Sequence, residues 1–442
     1  VWRAEDREIL RLALPAFLTL VAEPLFLIAD SAIIGHLGIV PLAGLSIAAT
    51  IMSITVGMCI FLAYGTTGIV SRSLGAGNLK AALAYGVDGL WLAAAIGSCI
   101  AVAGVAAAPW LTALFDATSA VHEAATTYLR IAILGALPLL LILAATGVLR
   151  GLQDTRTPLK VAIAANVANV GLNLLFVYGF QLGIAGSAWG TLVCQTGSAI
   201  ALVWVVVRGA RHEGARLLPS RVGLAASGRA AVPLLVRSLS LQAALAFTTY
   251  AVTFLAVGHQ QAVQLASHQL TLVIWFFLAY ALDAVAIAAQ AITGRWLGAG
   301  DLAATRAITR RMMAWGLGTG ALLAVPVAAA SPWVSGIFTD DADVADLLSR
   351  TLLIVALGLP VAGLVFVLDG ILIGAGDNRY LALAQVLALV GYVPLALLAT
   401  STTSSLVLLW VAFGLGWMSI RCVLLVNRQR SERWLLTGAS QG

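Results

Sequence analysis

Apolar runs of about 20 residues, the length a helix needs to cross a bilayer, recur along the whole chain. Short segments holding Arg, Asp, Gly and Pro separate them. Twelve such runs start near Leu12, Pro41, Ala82, Ala124, Leu159, Ile184, Ala230, Gln264, Ala307, Leu348, Leu381 and Ser405. The pattern predicts an all-α polytopic membrane protein with twelve spans. The first run is too long for a cleavable leader and lacks a small-residue cleavage site, so it is expected to remain as span 1.

Composition supports this reading. Of 442 residues, 61% are hydrophobic and only 10% charged, against roughly a quarter charged in a soluble domain. The net charge of +6 would fit a nucleic-acid binder, but the cations fall in alternate connections. Arg3, Arg7 and Arg11 precede span 1; Arg72 and Lys80 follow span 2; Arg150, Arg156 and Lys160 follow span 4. Arg208, Arg211, Arg216 and Arg221 follow span 6, and Arg295, Arg306, Arg310 and Arg311 follow span 8. Arg379 follows span 10, and Arg428, Arg430 and Arg433 lie beyond span 12. The odd-numbered connections carry almost none, and the one after span 9 is acidic, with Asp340, Asp341, Asp343 and Asp346. The positive-inside rule then puts both termini and every even-numbered connection in the cytoplasm. Basicity here encodes orientation, so nucleic acid is not an expected partner. Cys59, Cys99, Cys194 and Cys422 lie in or beside spans without paired spacing, and read as small packing residues rather than metal or redox ligands.

The chain also repeats itself. Gly35-His36 matches Gly258-His259 at an offset of 223 residues, and Arg72-Ser73-Leu74-Gly75-Ala76-Gly77 matches Arg295-Trp296-Leu297-Gly298-Ala299-Gly300 at the same offset. Pro109-Trp110 pairs likewise with Pro332-Trp333, and Gly151 with Asp154-Thr155-Arg156 pairs with Gly374 and Asp377-Asn378-Arg379. Six spans per unit give both halves one orientation, with a pseudo-twofold axis along the membrane normal. The predicted organisation is an N-terminal six-helix lobe over 1–207, a cytoplasmic linker over 208–229, a C-terminal six-helix lobe over 230–426 and a cytoplasmic tail over 427–442.

Ala29-Asp30-Ser31 followed by Ile34-Gly35-His36-Leu37-Gly38, the two Leu-Gly-Ala-Gly turns, and Gly147-Val148-Leu149-Arg150-Gly151 leading to Asp154-Thr155-Arg156-Thr157-Pro158 form a set of motifs. Asn169 and Asn173 before Gly183-Ile184-Ala185-Gly186 extend it. Together they resemble the MATE (multidrug and toxic compound extrusion) exporters, over nearly the whole chain. Leu282-Asp283-Ala284 through Ala288-Ala289-Gln290 to Gly294-Arg295 resembles the DNA-damage-inducible F (DinF) branch in particular. The resemblance implies export of amphipathic, mostly cationic organic compounds by alternating access, in a monomer of the plasma membrane. It implies no cofactor beyond a coupling ion, H+ or Na+.

Ionisable side chains at the bilayer centre cost at least ~2.5–3.5 kcal/mol each, so each is a site candidate. The spans hold Glu23, Asp30, Arg237, Asp283 and Asp369; Asp88 and Arg130 lie near span ends and read as structural. Asp30 lies seven residues before Leu37, about 10 Å deep at ~1.5 Å per residue, with no basic neighbour at helical spacing. By the resemblance it belongs to a cation-coupling site with Tyr128, Asn169, Asn173 and Thr191, and Pro15 is linked to movement of span 1. Asn169 and Asn173, four apart, share one helical face; their oxygens suit a proton donor or a hard cation, or equally a bond between helices. Some relatives carry a second carboxylate where this chain has Asn173, so Asp30 is the only acid of the cluster. That favours protons over sodium, although sodium could be held at Asp30, Asn169, Asn173 and Thr191.

Arg237 and Asp283 lie at similar depth in adjacent spans, and an ion pair would neutralise both. Glu23, Asp369, Gln242 and Trp275 are further candidates for a substrate or second coupling site; Gln290 could extend that patch. Asp369 falls at the repeat position of Thr146. An intramembrane enzyme is not expected, because no nucleophile–base pattern or metal cluster is present and the five histidines read as turn or loop residues. No Gly-x-x-x-x-Gly-Lys-Ser/Thr motif occurs, which leaves an ion gradient rather than ATP as the drive. A lipid or lipid-linked sugar flippase is the alternative reading, although a phosphate headgroup would call for more mid-membrane cations.

Overall fold

The computed structural model describes residues 4–338, 341–403 and 405–438, with the side chains at 4, 23, 334, 335, 337, 338, 402 and 403 excepted. Twelve helices among these residues are long and apolar enough to cross a membrane. They are α1 (Glu5–Gly35), α2 (Ile39–Gly75), α3 (Leu79–Ala113), α4 (Ser119–Gly151), α5 (Arg156–Gly179) and α6 (Gly183–His212). The second half holds α7 (Arg221–Val252), α8 (His259–Gly298), α9 (Leu302–Trp333), α10 (Ala342–Gly374), α11 (Asn378–Ser401) and α12 (Leu406–Arg430). No strand occurs among the described residues. Only closed hydrogen bonding survives in hydrocarbon, and a helix provides it within one segment.

Most helices open before their apolar runs; α7 starts at Arg221 rather than near Ala230. The helix continues into the polar boundary of the bilayer, where side chains cap its free amides. Asn78 accepts from Ala81 N at 2.9 Å ahead of α3, and Asp154 accepts from Arg156 N and Thr157 N at 3.1 and 3.0 Å at the start of α5. Such caps satisfy donors that the first helical turn leaves open.

The repeat is geometric as well as textual. The starts of α3 and α9, of α4 and α10, and of α6 and α12 each lie 223 residues apart. The turns after α2 and α8 pass through Gly77 and Gly300 at φ +74° and +77°, a backbone region that glycine enters without a Cβ penalty.

By packing, the chain divides into two compact units, one of residues up to Phe17 together with those from Val232 onward, the other Leu18–Ala231. Two helices therefore start in one unit and finish in the other. The crossing falls between Phe17 and Leu18 in α1 and between Ala231 and Val232 in α7, close to Pro15 and Pro233. Each proline removes one intrahelical hydrogen bond and so softens its helix at that point.

Both exchanged starts are anchored by charge. In the unit of Leu18–Ala231, the buried Asp88 of α3 accepts from Arg216 Nη2 at 2.6 Å and Ser220 N at 2.8 Å, while Trp91 Nε1 donates to Leu217 O at 3.0 Å. In the other unit, the buried Asp6 accepts from Arg311 Nε and Nη2 at 2.7 and 2.6 Å and from Trp315 Nε1 at 2.7 Å. Asp88 and Arg311 are repeat equivalents, 223 residues apart, with opposite charge. Their bonds hold the start of α1 and the segment before α7 in place. Asp6→Ala and Arg311→Ala are each expected to lower the thermal unfolding midpoint in detergent, and the double variant to lose less than the two losses added. Strict additivity would show that the pair does not hold the start of α1.

Candidate functional site

Within the Leu18–Ala231 unit, four helices converge on Asp30 of α1, which is 2% exposed. Tyr128 OH of α4 donates to Oδ2 at 3.2 Å. Asn173 Nδ2 of α5 donates to Oδ1 at 2.9 Å and also to Asn169 Oδ1 at 3.1 Å. Ser187 Oγ of α6 donates to Oδ1 as well. Asn169 Nδ2 in turn reaches Thr191 Oγ1 at 3.3 Å. The structure thus brings together all five residues named for this site, in one buried network.

Ser187 is an addition that the motifs did not supply. It lies four residues before Thr191 and so shares its face of α6, which was the available signal.

Local sequence explains the geometry. Asn169 and Asn173 are one helical turn apart on α5, which then widens into a π turn over Leu175–Gly179. Tyr178 OH in that turn donates to Ile33 O at 2.8 Å, and Asn166 Nδ2 donates to Ala22 O at 2.8 Å, so α5 grips α1 on both sides of Asp30. Glycines on α6 permit the approach. A Cβ at Gly186 would lie 2.8 Å from the Phe176 backbone, and one at Gly190 would run into Asn173 Oδ1.

Every group bonded to Asp30 among the described residues is a neutral donor. A carboxylate held this way gains stabilising hydrogen bonds when charged, yet no cation is stranded when it takes up a proton. Asn173 Oδ1 is buried without a hydrogen-bond partner among the described residues, leaving one acceptor open toward a donor or a hard cation. No group of three or more His, Cys, Asp or Glu side chains placed to hold a metal occurs among them.

The other unit treats its acid differently. Asp369 of α10 is 5% exposed and lies between two arginines, with Arg237 Nη2 of α7 at 2.8 Å and Arg421 Nη2 of α12 at 2.5 Å. The carboxylate that bonds Arg237 here is Asp369, which reaches it from α10. Asp369 is accordingly an ion-paired residue and does not resemble Asp30. Arg421 had not been singled out, although a lone cation between Ile420 and Cys422, well inside α12, was the signal. Its guanidinium also lies over Trp417, 5.0 Å from the ring centroid.

Asp283 and Gln242 are half-buried in α8 and α7, and Gln290 is buried in α8. Trp275 is buried with its ring edge-on to Phe413, centroids 6.2 Å apart. Pro15 lies within the unbroken α1 helix, just before the crossing at Phe17. The side chain of Glu23 lies outside the described residues.

A family model, MatE, matches residues 15–175 and again 239–398. This chain belongs to the MATE family. The MATE protein is 30% identical over 434 residues to Protein DETOXIFICATION 44, chloroplastic, of Arabidopsis thaliana, covering 94% of this chain and 80% of that one. It is 27% identical to DNA damage-inducible protein F of Escherichia coli K12, covering 88% and 85%. Among solved structures, a variant of the Vibrio cholerae MATE transporter VcmN superposes with a TM-score of 0.87 at 22% identity, over 98% of this chain and 99% of that one. The protein is a multi-pass membrane transporter with the twelve-helix MATE fold, and not an enzyme.

The two buried acids of this MATE protein should respond differently to neutralisation. Asp30→Asn keeps a hydrogen-bonding amide among neutral partners and is expected to leave thermal unfolding in detergent nearly unchanged. Asp369→Asn leaves two arginines facing one another and is expected to cost about 3–5 kcal/mol, as when one partner of a buried pair is removed. Equal losses would mean that the two sites do not differ in electrostatic character.

Proposed function

We propose that this MATE transporter is a secondary antiporter that exports amphipathic, mostly cationic organic compounds in exchange for protons, with Asp30 as the coupling group. The observation that carries this is the all-neutral set of donors around a buried carboxylate. A fixed ion pair would hold its charge constant through the cycle, whereas Asp30 is free to gain and lose a proton. Protonation from the outside weakens its hold on Asn173, Ser187 and Tyr128, and so loosens α5, α6 and α4 from α1. A ligand or proton shifts a conformational equilibrium only by its differential affinity for the two states, and these bonds are where the difference arises. Pro15 then serves as the soft point at which α1 yields.

Sodium is the second reading, supported by Asn173 Oδ1 and the neighbouring oxygens of Asn169 and Thr191. The name of the Arabidopsis relative supports efflux of unwanted compounds over lipid flipping. The protein is proposed to work as a monomer in the plasma membrane, as two six-helix lobes joined by a cytoplasmic linker, with both termini in the cytoplasm.

In proteoliposomes carrying an imposed proton gradient, Asp30→Asn is expected to abolish gradient-driven export and its pH dependence while retaining substrate binding. Export with an unchanged pH profile would move the coupling role elsewhere. A sodium gradient that drives wild-type export where a proton gradient does not would decide for the second reading. Orientation is checked by cysteine labelling on a cysteine-free background. Reaction from outside is expected at Asp341 and absent beside Arg216; the reverse would invert the topology.

A further inference from the structure

The 223-residue offset carries the Asp30 site onto a second place in the chain. Asn169, Asn173, Ser187, Gly190 and Cys194 correspond there to Tyr392, Ala396, Trp410, Phe413 and Trp417, and the starts of α6 and α12 match at the same offset. Asp30 itself corresponds to Thr253. The equivalent location has therefore lost its carboxylate and its amides. Bulk has also changed sides: the pair Asn173 and Gly190 becomes Ala396 and Phe413, so the large group moves from the fifth helix of the repeat to the sixth.

Phe413 is the centre of the resulting aromatic cluster. Its ring stacks on Trp417 at 4.9 Å and meets Trp410 at 5.4 Å, Tyr392 at 5.9 Å and Trp275 at 6.2 Å. His268 adjoins Trp410 at 5.7 Å. This histidine lies inside α8, more than two turns from its start, and is 1% exposed, which corrects its reading as a turn or loop residue. Such a cluster is ordinarily plain core, and two observations set it apart.

Three of its polar atoms are buried without a hydrogen-bond partner among the described residues: His268 Nδ1, Trp410 Nε1 and Trp417 Nε1. Buried donors without acceptors are destabilising, and phenylalanine would fill the same space without that cost. The roles of the three atoms follow from their neighbours. The hydroxyl of Thr249 donates to Leu245 O at 3.2 Å, so it accepts from His268 Nε2 at 3.1 Å. The proton then resides on Nε2, leaving Nδ1 as an acceptor. The cluster thus holds two donors and one acceptor without partners among the described residues. The second observation is that α12 leaves α geometry for a π stretch over Val411–Trp417, which carries Phe413 and ends on Trp417. Wide turns of this kind concentrate at functional sites.

We propose that this cluster is a recognition site for an uncharged, planar heteroaromatic group bearing both a hydrogen-bond donor and an acceptor. Phe413 fills the ring slot until a ligand ring displaces it. Trp410 and Trp417 donate to the ligand's acceptor atoms, and His268 Nδ1 accepts from its N–H. The two repeats then divide the labour, one answering the ion and the other the ring system of the exported compound. Its part in export rests on the antiport reading; binding itself does not.

The test uses the full chain in detergent, without a gradient, and equilibrium dialysis with acridone, a neutral planar ring system carrying one N–H and one C=O. Saturable binding is expected, weakened about three- to tenfold by Trp410→Phe, by Trp417→Phe and by His268→Leu, as expected when single buried hydrogen bonds are lost. Phe413→Ala removes the displacement step and is expected to tighten binding about tenfold. N-methylacridone lacks the donor; it should bind more weakly to wild type and be indifferent to His268→Leu. Absence of saturable binding in wild type and in Phe413→Ala would overturn the proposal. So would binding that none of the three hydrogen-bonding variants changes. Should Phe413→Ala fail to fold, the comparison of acridone with its N-methyl derivative on wild type and His268→Leu decides alone. Binding is read without a gradient and export with one, so a failure of coupling at Asp30 and a failure of this site register separately.

Discussion

Charge is costly inside a bilayer, and the molecule answers that constraint in two different ways. Asp369 is matched by arginines from α7 and α12, which ties three helices together. Among the described residues Asp30 bonds to hydroxyls and an amide, which support its charge without compensating it. The first arrangement is a rivet and the second a variable. The placement of the glycines on α6, the π turn in α5 and the grip of Tyr178 on α1 all serve to bring neutral donors to one carboxylate.

Much of this was legible in the residues. Spans were visible because hydrocarbon imposes a minimum apolar length, and the repeat because motifs recurred at one offset. Their edges were less legible, since helices run on into the boundary layer, where polar caps such as Asn78 and Asp154 are indistinguishable from loop residues. The Asp30 network was readable through motif and helical spacing. Ser187 escaped because serine is common in membrane helices as packing material, and only its bond to Asp30 marks it out. The partner of Arg237 could not be read from depth alone. Depth places a residue along the membrane normal but says nothing of its direction around the helix axis, so the bond from Arg237 to Asp369 was not legible. Arg421 escaped because its span ends in arginines, among which one further cation does not stand out.

Comparison of the halves is more informative than either half alone. Positions that keep their character across the repeat, such as Gly77 and Gly300, report what the backbone requires. Positions that change in concert, as Asn173 with Gly190 and Ala396 with Phe413, report that each half solves the same packing problem with a different partner carrying the volume. Such paired exchange is what separate tasks would produce on a shared scaffold.

The exchanged starts of α1 and α7 bear on how such a chain could arise and assemble. A six-helix half pairing with a copy of itself would hand its first segment to the copy and receive the copy's in return, in the manner of a domain-swapped dimer. In the present chain that option is closed. Two N-terminal halves would bring Asp6 against Asp88, and two C-terminal halves would bring Arg216 against Arg311, so each like pairing sets equal charges together. Opposite signs at 88 and 311 therefore act as an assembly code, admitting one half of each kind and penalising the homodimer.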